Sequence, residues 1–132
     1  MDFKNFLTPR GFLSLGGVVL LAVGILGFIG VIGPTPDRSI FGDAWWFDNA
    51  ENVAHTVLGI VALLAVTMMK DAAMQKMLVL AVGAFALLVG LYNLGGEVML
   101  AGATLQNPMD TVLHLVVGAW GLYAGLKGSR KA

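Results

Sequence analysis

Apolar residues fall into four long runs, at residues 12–33, 49–69, 77–96 and 108–126, separated by short polar stretches. A helix of about 20 residues crosses a hydrocarbon core of roughly 30 Å, so each run predicts a membrane span. The first run follows a polar lead carrying Lys4 and Arg10, and Pro9 stands where a helix start accepts proline. It is too long for a signal peptide and no small-residue cleavage pattern follows, so it reads as a retained helix. Gly33-Pro34-Thr35-Pro36 ends it, because proline cannot continue a helix. Lys70, Asp71 and Lys76 frame a short connection between the second and third runs. The loops at 34–47 and 97–106 lie at the other end. Trp45 and Trp46 stand beside a span, where tryptophans mark the membrane interface.

The predicted fold class is therefore an all-α membrane protein: residues 1–132 as a single four-helix transmembrane domain. Composition agrees, with 58% hydrophobic and 12% charged residues and a mean hydropathy of +0.83; soluble domains carry about a quarter charged residues. A formal net charge of zero predicts no nucleic-acid partner. Without cysteine there is no disulfide, thiolate metal site or thiol nucleophile. The distribution of charge says more than its sum. Of the 8 basic residues, all but Arg38 fall at one end of the spans: Lys4, Arg10, Lys70, Lys76, Lys127, Arg130 and Lys131. Lys and Arg stay cytoplasmic, which predicts a multi-pass protein with both termini inside. Asp37, Asp43, Asp48, Glu51, Glu97 and Asp110 then lie at the outer end.

Shifting the chain by 59 residues (114 less 55) superimposes its two halves without a gap, about 12–70 on about 71–129. Leu21-Ala22-Val23-Gly24 falls on Leu80-Ala81-Val82-Gly83, and Val53, His55, Val57 and Gly59 fall on Val112, His114, Val116 and Gly118. Each half holds an even number of spans, so two tandem hairpins share one orientation. Their pseudo-two-fold axis then runs along the membrane normal.

The motif that recurs is DNAENVAHTVLG at 48–59 and NPMDTVLHLVVG at 107–118. Asp48 and Asn107 fit helix caps. Glu51 and Asp110, at the third helical position, fit the capping box and the positive end of the helix dipole. His55 and His114, the only histidines, each follow an acid by four residues and share its face. They lie about 6 Å deeper along the helix. Ionisable groups inside spans are costly and face the bundle interior. Each ring is satisfied by its own acid or a carbonyl, or else the set is a site. Two imidazoles and two carboxylates suit zinc, iron or manganese, with Glu51, His55, Asp110 and His114 as candidate ligands and Glu97 a further candidate. The E-x-x-x-H spacing differs from the E-x-x-H of di-iron bundles. A His–carboxylate pair also suits proton relay. Axial ligation of a haem or chlorophyll by His55 or His114 is a third use, with Gly59 and Gly118 leaving room beside the ring. The first reading needs no cofactor; a metal ion or tetrapyrrole belongs to the alternatives.

Gly24, Gly27 and Gly30, with Gly83 in the third run, predict close helix packing, since small residues let backbones approach in lipid. Tyr92 and Asn93 are polar for a span and are expected to bond across the bundle. No P-loop, dinucleotide fingerprint, hydrolase elbow or H-E-x-x-H pattern occurs.

Asn52-Val53-Ala54-His55 with Gly59, and Asn107-Pro108, Asp110 and Leu113-His114 with Gly118, resemble a family of short four-span bacterial membrane proteins catalogued only as a domain of unknown function. The likeness spans about 16–125 and implies the fold and a bacterial membrane. It implies no activity. The expected function is a non-enzymatic accessory or structural protein, self-associating or a subunit of a larger membrane complex, with the lipid bilayer and other membrane subunits as partners. The alternatives are a metal- or cofactor-binding protein using His55 and His114, and a proton-coupled transporter or channel.

Overall fold

The computed structural model describes residues 3–96, 99–100, 102–106 and 108–127. Four helices dominate: α1 (Pro9–Phe28), α2 (Asn49–Met68), α3 (Ala72–Leu94) and α4 (Met109–Leu126). Each is long and apolar enough to cross a membrane, so the chain is a multi-pass membrane protein. A minimal antiparallel hairpin, β1 (Met99–Leu100) with β2 (Ala103–Thr104), lies in the second long loop.

Capping sets the helix starts. The Thr8 hydroxyl accepts from Gly11 N at 3.0 Å and Pro9 takes the first helical position, so α1 begins ahead of the apolar run. Asp71 accepts from Ala73 N at 2.9 Å and starts α3 early, which puts Lys76 inside the helix instead of the connection. At its far end α1 stops at Phe28, short of the run's end. Gly30 has φ +91°, a conformation that glycine enters without penalty, and Val31 N and Ile32 N both turn back onto Leu26 O. Gly30 is therefore not a helix-packing residue as expected; a Cβ there would meet the Arg38 guanidinium.

The helices pack as two hairpins, α1 on α2 and α3 on α4. The hairpins join chiefly at the end where the termini lie. Phe12, Leu13, Ala65, Val66, Val79 and Ala124 form a buried cluster there, and Phe12 meets Trp120 edge-on at 4.6 Å. Trp120 Nε1 donates to Phe6 O at 2.6 Å, Arg10 Nη1 to Val66 O at 3.0 Å and Gln75 Nε2 to Met69 O at 2.7 Å. The last two satisfy carbonyls at the C-terminus of α2, where no intrahelical donor remains.

Glycines set the contact register. Gly17 lies against Ala62 and Leu63, Gly24 against Thr56, and Gly59 against Leu21, where an added Cβ would come within 2.6 Å of Leu21 N. In the other hairpin Gly83 lies against Gly121 and Leu122, Gly90 against Leu115, and Gly118 against Leu87, where an added Cβ would come within 2.6 Å of Leu87 N. The α2 and α4 residues in these contacts are 59 apart (115 less 56), whereas their partners in α1 and α3 are 66 apart (90 less 24). The gapless alignment of the halves is thus not the one that the contacts follow. The long loop of the second hairpin is the shorter, 95–108 against 29–48, and absorbs the offset.

Candidate functional site: a polar cap over two hairpins

The residues singled out in the sequence gather where the two long loops meet over the N-termini of α2 and α4. Asp48 caps α2: its Oδ1 accepts from Glu51 N at 2.9 Å and Glu51 Oε1 accepts from Asp48 N at 3.3 Å, closing a capping box. The second Asp48 oxygen reaches the other half and accepts from Thr104 N at 2.7 Å.

Asp110 behaves differently. It is the second residue of α4, after Pro108 at the cap position, and Pro108 has no side-chain acceptor to close a box. Its carboxylate turns outward from the helix. Oδ2 accepts from Gln106 N at 2.8 Å and Oδ1 from Trp45 Nε1 at 3.0 Å. Gln106 Oε1 in turn accepts from Trp46 N at 3.3 Å, and its Nε2 donates to Thr104 O at 3.2 Å. Three hydrogen bonds thus cross from one half to the other: Trp45 to Asp110, Trp46 to Gln106 and Thr104 to Asp48. Glu51 is 3% exposed and Asp110 1%, so two acids at the mouth of the spans are withdrawn from solvent. Glu97 and Asn107 lie outside the described residues.

The histidines use the same local device. His55 Nδ1 lies 2.6 Å from Glu51 O and His114 Nδ1 lies 2.7 Å from Asp110 O, each the carbonyl one turn back. A carbonyl only accepts, so each Nδ1 carries a proton and donates. Both rings are half-buried. His55 also stacks parallel on Phe47, with centroids 5.0 Å apart, and Trp45 meets Phe47 edge-on at 5.1 Å. Glu51 is within electrostatic range of Asp110, and His55 of both Asp110 and His114, so the two motifs converge. They do not form a metal cage: among the described residues no three His, Asp or Glu are placed to hold an ion.

Beneath this cap lies a second polar layer, inside the hairpins. Asn52 is fully buried and its carboxamide rests on Gly27, where a Cβ would collide with Oδ1. Thr56 Oγ1 rests on Gly24 in the same way. Both oxygens lack a hydrogen-bond partner among the described residues, as does Glu51 Oε2. The glycine Cα–H groups face the first two, the arrangement of a weak C–H···O contact. In the other hairpin Thr111 Oγ1 donates to the buried Asn93 Oδ1 at 2.6 Å. Tyr92 bonds instead within its own hairpin, to Met99 O at 2.7 Å.

Reading the motif does not find Trp45, Trp46, Thr104 and Gln106, because their role depends on how two loops fold against each other. A signal did exist for the inner layer: Asn52 and Thr111 are 59 residues apart, the same shift that relates the histidines. Comparison of the chain with known families, with curated proteins and with solved structures finds no match.

Proposed function

We propose that this is a non-enzymatic integral membrane protein that works by association, with itself or as a small accessory subunit of a larger membrane assembly. The observation that carries the reading is the use of the polar residues. The capping residue Asp48, Asp110 and the histidine Nδ1 atoms are committed to internal hydrogen bonds, two of which, with the bond from Trp46 N to Gln106, tie the hairpins together. Outside the cap the helices offer mainly apolar faces, with Val18, Val57, Phe85, Leu88 and Val116 each about half exposed or more. The two hairpins are read as tandem copies, the second with its first helix seven residues nearer its partner. The protein sits in a bacterial cytoplasmic membrane with both termini inside, since Arg10, Lys70, Lys76 and Lys127 share one end and only Arg38 lies at the other.

The test is mass and content together. Chemical cross-linking in native membranes, followed by light scattering of the detergent-extracted protein, is expected to give an assembly larger than the 13.9 kDa chain, without stoichiometric metal or pigment absorbance. A monomer carrying one equivalent of metal or tetrapyrrole, lost in His55→Gln or His114→Gln, would overturn the reading in favour of a cofactor protein. Proton flux above that of empty proteoliposomes would overturn it in favour of a transporter.

A further inference from the structure

The long loop of the first hairpin folds back beside the end of α1. Val31 N and Ile32 N bond to Leu26 O, in the last turn of α1, and Ile40 N bonds to Val31 O at 2.8 Å. Ile32 and Ser39 form an antiparallel bridge, and on its other side Ile32 O accepts from Phe47 N at 2.7 Å. Ile32 therefore stands between the 39–40 segment and Phe47, which leads into α2. Ser39 and Ile40 thus lie on the flank of the hairpin, away from α2 and level with the end of α1. The Arg38 guanidinium is held at the same level, against Gly30.

That level is a boundary. Helix α1 has 20 residues, about 30 Å at a rise of 1.5 Å per residue, which matches the thickness of the hydrocarbon core. A guanidinium is costly inside that core, so Arg38 marks the headgroup side. Yet the flank beside it is apolar: Ile40 is 74% exposed, Ile29 61%, and Phe41 about half. These side chains stand on a fixed frame. Ser39 Oγ donates to Trp45 O at 2.7 Å and accepts from Phe41 N at 3.1 Å, and the Phe41 ring lies 5.3 Å from that of Trp45. The loop's acids, Asp37 and Asp43, are exposed, so polar and apolar side chains stand together within seven residues. An apolar tip at this depth meets lipid, and amphipathic segments settle at the boundary of headgroups and acyl chains. We propose that Ile40 and Phe41 insert into the bilayer leaflet at this end of the spans, so that the leaflet holds the loop from which Trp45 reaches Asp110.

The chain has no cysteine, so a nitroxide can be placed at one site at a time through Ile40→Cys, Phe41→Cys, Asp43→Cys or Val18→Cys. All four side chains are exposed, so each variant is expected to melt in detergent like the parent. The full chain is reconstituted, dilute, in phosphatidylcholine vesicles. Collision of the nitroxide with oxygen, which concentrates in hydrocarbon, is compared with collision with a water-soluble nickel chelate. Oxygen is expected to dominate at residues 40 and 41, as it does at residue 18 in the middle of α1. The chelate is expected to dominate at residue 43, so the ratio reverses within two residues. A ratio at residue 40 equal to that at residue 43 would put the tip in water and overturn the proposal. Spin–spin broadening at residue 40 that disappears on dilution with unlabelled chain would show a second copy covering the tip in place of lipid, and would also overturn it.

Discussion

The two hairpins hold a buried polar group at the same level by different means. In α1–α2 the α1 backbone comes close because Gly24 and Gly27 have no side chain, and Thr56 and Asn52 rest on them. In α3–α4 the residue facing Thr111 is Asn93, at the place Gly27 holds in the first hairpin once the offset of 66 is applied, and the pair forms a hydrogen bond. One hairpin depends on shape and the other on a donor and an acceptor. Fit in the first is against the Thr56 hydroxyl and α2 backbone at Gly24, and against the Asn52 carboxamide at Gly27. Fit in the second runs partly against the flexible side chain of Leu115. The two hairpins thus share the level at which their helices are fastened and differ in the chemistry of the fastening.

Gly24→Leu is the harshest way to break the comparison. A side chain there meets the Thr56 hydroxyl and, at 2.8 Å, Thr56 N. Overpacking costs roughly 1–3 kcal/mol where neighbours relax, and a backbone neighbour pushes the cost to the top of that range or past it. Gly90→Leu, against the Leu115 side chain, is expected to lose less. Melting of both variants in detergent checks the order, and a Gly24→Leu protein that melts like the parent would contradict it.

Asp48→Ala comes next. It opens the capping box, worth about 0.5–2 kcal/mol, and strips Thr104 N of its acceptor across the halves. Chemical unfolding in detergent should place it below Ser14→Ala, whose hydroxyl bonds only within its own helix.

Thr111→Val and Thr56→Val sharpen the contrast between the hairpins. The first removes the donor to Asn93, and interhelical bonds in membranes average about 0.6 kcal/mol with a maximum near 1.7. The second removes a hydroxyl with no partner among the described residues, and its stability should be unchanged or slightly raised. Equal losses would show that the two layers do not differ as described.

Thr56→Val apart, His55→Gln and His114→Gln are expected to be the mildest, because an amide can still donate to the carbonyl one turn back. Each should cost less than about 1 kcal/mol, the scale of a typical net hydrogen bond. His55→Gln should cost slightly more, since it also loses the stack on Phe47. Parallel melts of the two variants read the difference.

How far the sequence carried can be judged from particular residues. The spans and their pairing follow from four apolar runs, and the α2 cap from the D-x-x-E spacing of Asp48 and Glu51. The end of α1 does not, because Gly30 continues the spacing of Gly24 and Gly27 and only its φ sets it apart. The offset between the hairpins was hidden for a related reason: Leu-Ala-Val-Gly at 21–24 matches 80–83 by composition alone, as aliphatic helices easily do. The role of Asp110 was out of reach altogether. A capping reading fits its position, but its donors are Trp45 Nε1, from a loop 65 residues away, and Gln106 N.

The central claim is that the acids of the two motifs fasten one hairpin to the other. A double-mutant cycle on Trp45→Phe and Asp110→Ala, read by reversible unfolding in mixed detergent, tests it most directly. A charge-assisted hydrogen bond across the halves predicts a coupling of about 1.5–3 kcal/mol, with the double variant less destabilised than the sum of the singles. Additive losses would contradict the account and leave Asp110 as a residue that serves only its own hairpin.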